Sequence, residues 1–188
     1  MDTLDTPMHV NDSDRLCYEQ ITDADADFLF ELDQDPDVMR FINGGNPTSK
    51  VDIETIFLPR LAAYANPALG WGLWKVSLKA ENSPAIGWVL VRPMGFFTSE
   101  PDLNNLELGW RFKQAYWGKG YASEAAKSIR DALFKSGVST FSAIAIENNF
   151  PSIAIMKKLG MEYSHTQRYT DSVFDEDVVV YTQTQFGE

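Results

Sequence analysis

Leu106-Glu107-Leu108-Gly109-Trp110, followed shortly by Tyr116-Trp117-Gly118-Lys119-Gly120-Tyr121-Ala122-Ser123-Glu124-Ala125, is the stretch from which the fold can be read. Leu106 to Phe112 is a short aromatic and apolar run, a strand. Gly118 and Gly120 make a turn. Beyond it Ala122, Ala125, Ala126, Ile129 and Leu133 recur at offsets of 3, 4, 7 and 11, one face of a helix reaching about Lys135. Thr140 to Ile146 is the next strand, so the segment predicts a parallel crossover. The first N–H groups of a helix have no intrahelical partner, and the helix dipole adds partial positive charge there. Glycines let a ligand approach the backbone. The turn therefore suits a pyrophosphate or another anion, and it serves equally as a plain tight connection. Two nucleotide-binding patterns fail on spacing. A G-x-G-x-x-G fingerprint needs glycine where Ser123 stands, and the P-loop pattern G-x-x-x-x-G-K-[ST] is absent.

Working outward, Arg15 to Ile21 reads as a strand, and Thr22 with Asp25 as a capping-box start for a helix carrying Ala24, Phe28, Leu29 and Leu32. Asp35-Pro36 reads as the break of that helix, and Asn43-Gly44-Gly45-Asn46-Pro47 as a loop. Ser49 with Asp52 opens a second helix bearing Ile53, Ile56, Phe57, Leu61 and Tyr64, with Pro59 predicted to kink or split it. Trp71 to Leu78 and Ile86 to Val91 are strands. Past the crossover, Asn149 to Lys158 is a short helix with Pro151 in its first turn, stopped by Gly160. Two strands follow, about Met161 to Tyr169 and Val178 to Thr184. The order predicts one mixed α/β (α+β) domain over residues 13–188, preceded by a flexible polar tail over residues 1–12.

The 188 residues are 44% hydrophobic, 23% charged and 13% aromatic, which excludes disordered, collagenous and coiled-coil chains. Sixteen basic against 27 acidic residues give a net charge of −11, unsuited to nucleic acid or an anionic membrane and mildly favourable to a cationic substrate. The lone Cys17 allows no intramolecular disulfide, which fits a reducing compartment. The start has neither a basic nor an apolar region of a signal peptide, and no stretch approaches the roughly 20 apolar residues of a membrane span. A cytoplasmic protein is expected. His9 and His165 have no metal spacing, so no metal is expected.

Trp117-Gly118-Lys119-Gly120-Tyr121-Ala122 resembles the pyrophosphate loop of the GNAT acyl-CoA N-acyltransferases, (R/Q)-x-x-G-x-(G/A). Gly120 and Ala122 fill the last two fixed positions, and Trp117 replaces the usual Arg or Gln, as in the RimJ/RimL-like acetyltransferase branch. That branch is also resembled by Asp35-Pro36-Asp37-Val38-Met39-Arg40-Phe41-Ile42, by Ile86-Gly87-Trp88, by Glu107-Leu108-Gly109-Trp110, and by Asn149-x-x-Ser152-x-x-x-Met156-Lys157-Lys158-Leu159-Gly160-Met161. The likeness runs from about Arg15 to Tyr181.

The resemblance implies a central mixed sheet of about seven strands, splayed in the middle and flanked by about four helices. It implies acetyl-CoA as co-substrate and a primary amine as acceptor, either a small molecule or a protein or peptide N-terminus, in a monomer or homodimer. Backbone at Leu108, Gly109 and Trp110 would pair with pantetheine, and N–H groups of Gly118, Lys119, Gly120, Tyr121 and Ala122 would take the pyrophosphate. The Lys119 side chain would add charge to a phosphate or lie in solvent. Asn149 and Ser152 would lie beside pantetheine and the thiol, or cap their helix. Phe41 and Asn43 stand where the acceptor pocket is bounded. Asp171-Ser172-Val173-Phe174-Asp175-Glu176-Asp177 reads as a solvated hairpin bordering that pocket.

The chemistry needs a neutral amine, because an ammonium has no lone pair. Glu107 matches a strand position where many relatives carry a catalytic glutamate, directly or through water; the other readings are an outward strand carboxylate or one that orients the amine. A backbone N–H near Leu108 or Gly109 would meet the oxyanion. Many relatives protonate the leaving thiolate with a tyrosine where this chain has Met156, so Ser152 is the candidate acid, with Tyr163 and Tyr169 behind it. The alternative is a non-catalytic acyl-CoA sensor or assembly module on the same fold.

Overall fold

The computed structural model describes residues 6–185. Seven strands and five helices follow in order: β1 (Leu16–Gln20), α1 (Ala26–Leu32), α2 (Pro36–Asn43), α3 (50–64), β2 (Gly72–Leu78), β3 (Ala85–Met94), β4 (Asp102–Phe112), α4 (Tyr121–Lys135), β5 (Thr140–Ala145), α5 (Phe150–Lys158), β6 (Glu162–Thr170) and β7 (Asp175–Thr184). The strands form one sheet in the order β1-β2-β3-β4-β5-β7-β6, antiparallel except for the β4–β5 pair.

Local signals set most element starts. The Thr22 N–H donates to Asp25 Oδ2 at 3.0 Å, and Thr22 Oγ1 accepts from the Ala24 N–H at 3.3 Å, the reciprocal cap expected there. Ser49 Oγ accepts from the Asp52 N–H at 3.0 Å and opens α3. Pro59 is accommodated by a π-helical turn over Ile53–Phe57, which splits α3 as expected. Helix α2 lies where Asp35-Pro36 reads only as a break. Asp35 Oδ1 caps the new helix by accepting the Asp37 N–H at 2.9 Å, and Pro36 sits in its first turn, where no N–H is missed.

The sheet is covered on both faces. On one, Ala125, Ala126, Ile129 and Leu133 of α4, Met156 of α5 and Leu159 just past its end pack on Val89, Val91, Leu106, Leu108 and Phe141. On the other, Leu29 of α1 and Ile53, Leu61 and Tyr64 of α3 gather about Leu90. Alternate residues of β3 thus serve opposite cores. Residues 1–5 of the expected tail lie outside the described residues. Farther on, Val10 is 2% exposed in the first core and the Met8 N–H donates to the Pro67 carbonyl at 2.8 Å. No helix among the described residues is long and apolar enough to cross a membrane.

Gly87 holds β3 against β4. A Cβ there would stand 2.5 Å from Phe112 Cγ and 2.6 Å from the Arg111 carbonyl oxygen, and the backbone oxygen cannot swing aside. Gly87→Ala is therefore expected to destabilise the fold by about 2–3 kcal/mol, the cost of overpacking a tight core. For a chain of this length that lowers the thermal midpoint by roughly 4–12 °C. An unchanged midpoint in a melting experiment would refute this contact as a constraint.

The feature that positions the site is a break in the sheet. Strands β4 and β5 pair only at Asn105↔Thr140, Leu106↔Phe141 and Glu107↔Ser142. Beyond Glu107, β4 pairs with β3 alone, and Ala143 to Ala145 of β5 pair with β7 alone. The two parallel strands splay from that point.

Candidate active site

A cavity of about 340 Å³ opens at the splay. It is lined by Glu107, Leu108, Gly109 and Trp110 of β4, by Ser152 of α5, and by Phe41 and Asn43 of α2, seven residues singled out from sequence. Glu107 is 4% exposed. The antiparallel register sets it directly opposite Arg92 of β3, and cross-strand partners share a face. Arg92 Nε donates to Glu107 Oε2 at 2.8 Å, while Nη2 stands 3.5 Å from Oε1. Burial works against the Arg92 charge, but the adjacent carboxylate more than reverses this and raises its pKa, so the guanidinium stays charged.

Two tyrosines flank the pair. Burial pushes the Tyr64 phenol upward, with the Glu107 charge adding to it. The Tyr169 phenol is pushed up to about 12 by burial and then by Glu107. The Tyr169 hydroxyl donates toward Asp171 Oδ2 at 3.4 Å, which turns its proton away from a departing thiolate. Tyr163 is 56% exposed and does not line the cavity.

Ser152 is better placed to donate. Trp110 Nε1–H donates to Ser152 Oγ at 3.0 Å. An indole nitrogen only donates, so the serine accepts and keeps its own hydroxyl proton free. Asn149 does not line the cavity; it caps α5, its Oδ1 accepting the Ser152 N–H at 3.3 Å. Met156 is fully buried in the core, away from any proton-transfer role. Asn43 is engaged locally: its Oδ1 accepts the Asn46 N–H at 2.9 Å and its Nδ2 donates to the Asn46 carbonyl at 3.0 Å, which holds the Gly44-Gly45 turn.

The glycine turn lies outside the cavity, at the start of α4. Gly118 and Gly120 adopt φ of +72° and +78°, which side-chain-bearing residues rarely take. Gly120 occupies the cap position and no side chain caps the helix, so the first N–H groups of Tyr121 and Ala122 keep their donor capacity. Trp117 Nε1 donates to the Phe112 carbonyl at 2.8 Å, tying the turn to the end of β4. Arg15 Nη1 donates to the Lys119 carbonyl at 2.9 Å, and its Nε to Glu124 Oε2 at 2.7 Å. The Lys119 ammonium lies 5.8 Å from the Tyr116 ring centre. An uncapped helix start behind two left-handed glycines fits a pyrophosphate, and the one-sided edge of β4 fits an extended pantetheine arm.

Sequence reasoning missed the arginines. Arg92, Arg60 and Arg111 all line the cavity. Arg60 Nη2 donates to Asp171 Oδ2 at 2.9 Å and Arg111 Nη1 to Asp33 Oδ1 at 2.7 Å. Arg92 had one available signal, a lone charge closing the apolar run Ile86 to Val91. Asp171 corrects the reading of its acidic stretch as wholly solvated, since its side chain is 2% exposed. Burial alone would raise its pKa, yet the N–H groups of Val173 and Phe174 and the Arg60 guanidinium hold it below the usual carboxylate range. Among the described residues no group of three or more His, Cys, Asp or Glu is placed to hold a metal ion.

Residues 15–162 match the family described as acetyltransferase (GNAT) domain. The chain is similar to the "Uncharacterized N-acetyltransferase YnaD" of Bacillus subtilis, at 30% identity over 82% of each chain. It is also similar to the "FsC-acetyl coenzyme A-N(2)-transacetylase" of Aspergillus fumigatus, at 27% identity over 74% of this chain; the match spans 59% of that longer protein. Among solved structures, an acetyltransferase (GNAT family) from Bacillus anthracis superposes with a TM-score of 0.71 at 25% identity, over 93% of this chain and 97% of that one. An aminoglycoside acetyltransferase in complex with coenzyme A shares the fold, with a TM-score of 0.72 at 18% identity over 90% and 95% of the two chains.

Proposed function

The chain belongs to the acetyltransferase (GNAT) domain family, and from that premise we propose that it transfers the acetyl group of acetyl-CoA to a primary amine by direct attack. The observation that carries the reading is the end of β4–β5 pairing at Glu107↔Ser142, beside a cavity holding both Glu107 and Ser152. Acetyl-CoA supplies the thioester. Its pyrophosphate is assigned to the Gly118–Ala122 backbone and its pantetheine arm to Leu108, Gly109 and Trp110.

The roles follow from which atoms are free. Glu107 Oε2 is held by Arg92, and Oε1 has no partner closer than 3.5 Å. Oε1 takes a proton from the acceptor amine directly or through one water, leaving the lone pair for attack on the carbonyl carbon. Ser152, held through its acceptor side by Trp110, presents its hydroxyl proton to the departing sulfur and regains one, directly or through water, from the attacking nitrogen as that nitrogen becomes the amide. The Asp35–Ile42 segment and the Trp117 replacement support the RimJ/RimL-like branch.

The test is a melting curve with saturating acetyl-CoA and with ATP as anion control, followed by amine-dependent release of CoA thiol. At 100-fold over Kd, linkage adds about 2.7 kcal/mol, a rise of roughly 5–10 °C for a domain of this size. A rise with acetyl-CoA alone, with amine-dependent thiol release, is the expected outcome. Equal rises with ATP would reduce the turn to a generic phosphate cradle. A rise without thiol release for any amine would favour a non-catalytic acyl-CoA-binding module, which the buried Met156 in the usual tyrosine position would suit.

A further inference from the structure

Resting on the acetyl-transfer reading, we infer that the acceptor is a small primary monoamine with an aromatic or aliphatic body, and that polycations are excluded. Three carboxylates line the cavity, Asp33, Glu107 and Asp171, and three arginines line it with them. Each acid is already paired: Asp33 with Arg111 at 2.7 Å, Glu107 with Arg92 at 2.8 Å, and Asp171 with Arg60 at 2.9 Å. The acid side chains are 6%, 5% and 2% exposed. The charged side chains that line the cavity therefore balance one another, unlike the chain as a whole at −11. The guanidiniums are in turn backed by aromatic faces, Arg60 at 3.9 Å from the Phe97 ring centre and Arg111 at 4.9 Å from that of Trp88.

Of the six carboxylate oxygens, five already accept a hydrogen bond at 2.9 Å or less, and one does not. Asp171 Oδ2 takes Arg60, and Oδ1 takes the N–H groups of Val173 at 2.8 Å and Phe174 at 2.9 Å. Asp33 Oδ1 takes Arg111, and Oδ2 takes the Thr48 hydroxyl at 2.8 Å. Glu107 Oε1 alone among the six has nothing nearer than 3.5 Å. A second or third ammonium, as a polyamine or aminoglycoside carries, would lose its water beside guanidiniums and find no free counter-ion.

Most of the remaining wall is apolar, with Leu29, Ile53, Leu61, Trp88 and Leu90, and it also carries Asn43, Tyr64, Ser152 and Tyr169. The lining continues to the surface through Ile42, Phe57 and Val173, which are 40%, 37% and 46% exposed. A mostly apolar cavity with a few polar groups orients a ligand by its polar end and holds the rest by burial. Its about 340 Å³ also receives the thioester end, which leaves space for a small molecule. A peptide N-terminus would bring several backbone amides, more than the few polar groups of this wall can pair.

The experiment is calorimetric titration of the full chain, saturated with CoA, against 2-phenylethylamine, spermidine, kanamycin and a trialanine peptide. The expected result is 2-phenylethylamine binding about tenfold or more tighter than the other three. Equal or tighter binding of spermidine, kanamycin or the peptide overturns the inference, as does no measurable binding of 2-phenylethylamine. Arg60→Gln gives a second reading, because it removes the counter-cation of Asp171 and leaves Oδ2 only the Tyr169 hydroxyl at 3.4 Å. Spermidine should gain on 2-phenylethylamine by about tenfold in that variant and not in Arg60→Lys; an unchanged ratio counts against the pairing argument. Mass spectrometry of N-acetylated products with acetyl-CoA separates this inference from the activity. Acetylated spermidine would overturn the monoamine class and leave the acetyltransferase standing. Preferential monoamine binding without any acetylated product would do the reverse.

Discussion

Glu107→Gln is expected to lower kcat/KM for acetyl transfer to an alkylamine about 10³-fold at pH 7, and the deficit is expected to shrink as the pH rises. A positioned general base contributes about 10²–10⁴-fold. An alkylamine has a reference pKa of about 10.4, so on the order of one molecule in 10³ is neutral at pH 7. On the proposed mechanism the wild-type chain uses the abundant ammonium, with Glu107 Oε1 removing the proton inside the cavity. Glutamine cannot, so the variant uses only the neutral amine, whose share rises about tenfold per pH unit below the amine pKa. The geometry otherwise survives, since a glutamine oxygen still accepts from Arg92 Nε where Glu107 now accepts at 2.8 Å. Rate profiles for both proteins from pH 7 to 9.5 decide the point. A loss under tenfold, or one that stays constant with pH, would assign Glu107 to holding the amine and not to taking its proton.

Arg92→Met is expected to cost stability as well as rate, about 3–5 kcal/mol, because it leaves the Glu107 carboxylate buried without its partner. The pair sits in a largely apolar setting, its side chains 13% and 5% exposed. Arg92 also lies 5.6 Å from the ring centres of both Tyr64 and Phe97, so part of the loss is packing. Arg92→Lys should lose less, since a lysine keeps the charge and lacks the planar fork. The deciding comparison is the double variant Arg92→Met with Glu107→Gln, which removes both charges. Its stability should return most of the way to wild type in urea unfolding while acetyl transfer stays low. If the double variant is as unstable as Arg92→Met alone, the buried charge is not the cause and the lost contacts with Tyr64 and Phe97 are.

Both predictions turn on a pair that straddles the boundary between what can be read locally and what cannot. Glu107 stands out in sequence because it precedes Leu108-Gly109-Trp110 and the glycine turn. Arg92 does not, because nothing in Ile86 to Val91 says which residue of the next strand will lie opposite it. The register that sets Arg92 against Glu107 is decided by the β3–β4 loop and the shift near Pro93 and Met94. Likewise Asn149 reads as both cap and cofactor contact, and its 3.3 Å bond to the Ser152 N–H accounts for the cap.

The sequence by itself determined the element order apart from α2, the glycine turn before α4, the caps at Thr22, Ser49 and Asn149, and the buried stripe Ala125, Ala126, Ile129 and Leu133. Each of these depends on residues within a turn or two of chain, where spacing and backbone sterics act directly. Only the tertiary structure decided the character of the cavity. Its ion pairs join residues 15, 78 and 111 positions apart, and a net charge of −11 says nothing about which carboxylates a fold will neutralise. Taking a charge out of water requires a partner in the folded chain. Here the buried acids of the cavity found three arginines, and one carboxylate oxygen of Glu107 was left with no partner nearer than 3.5 Å.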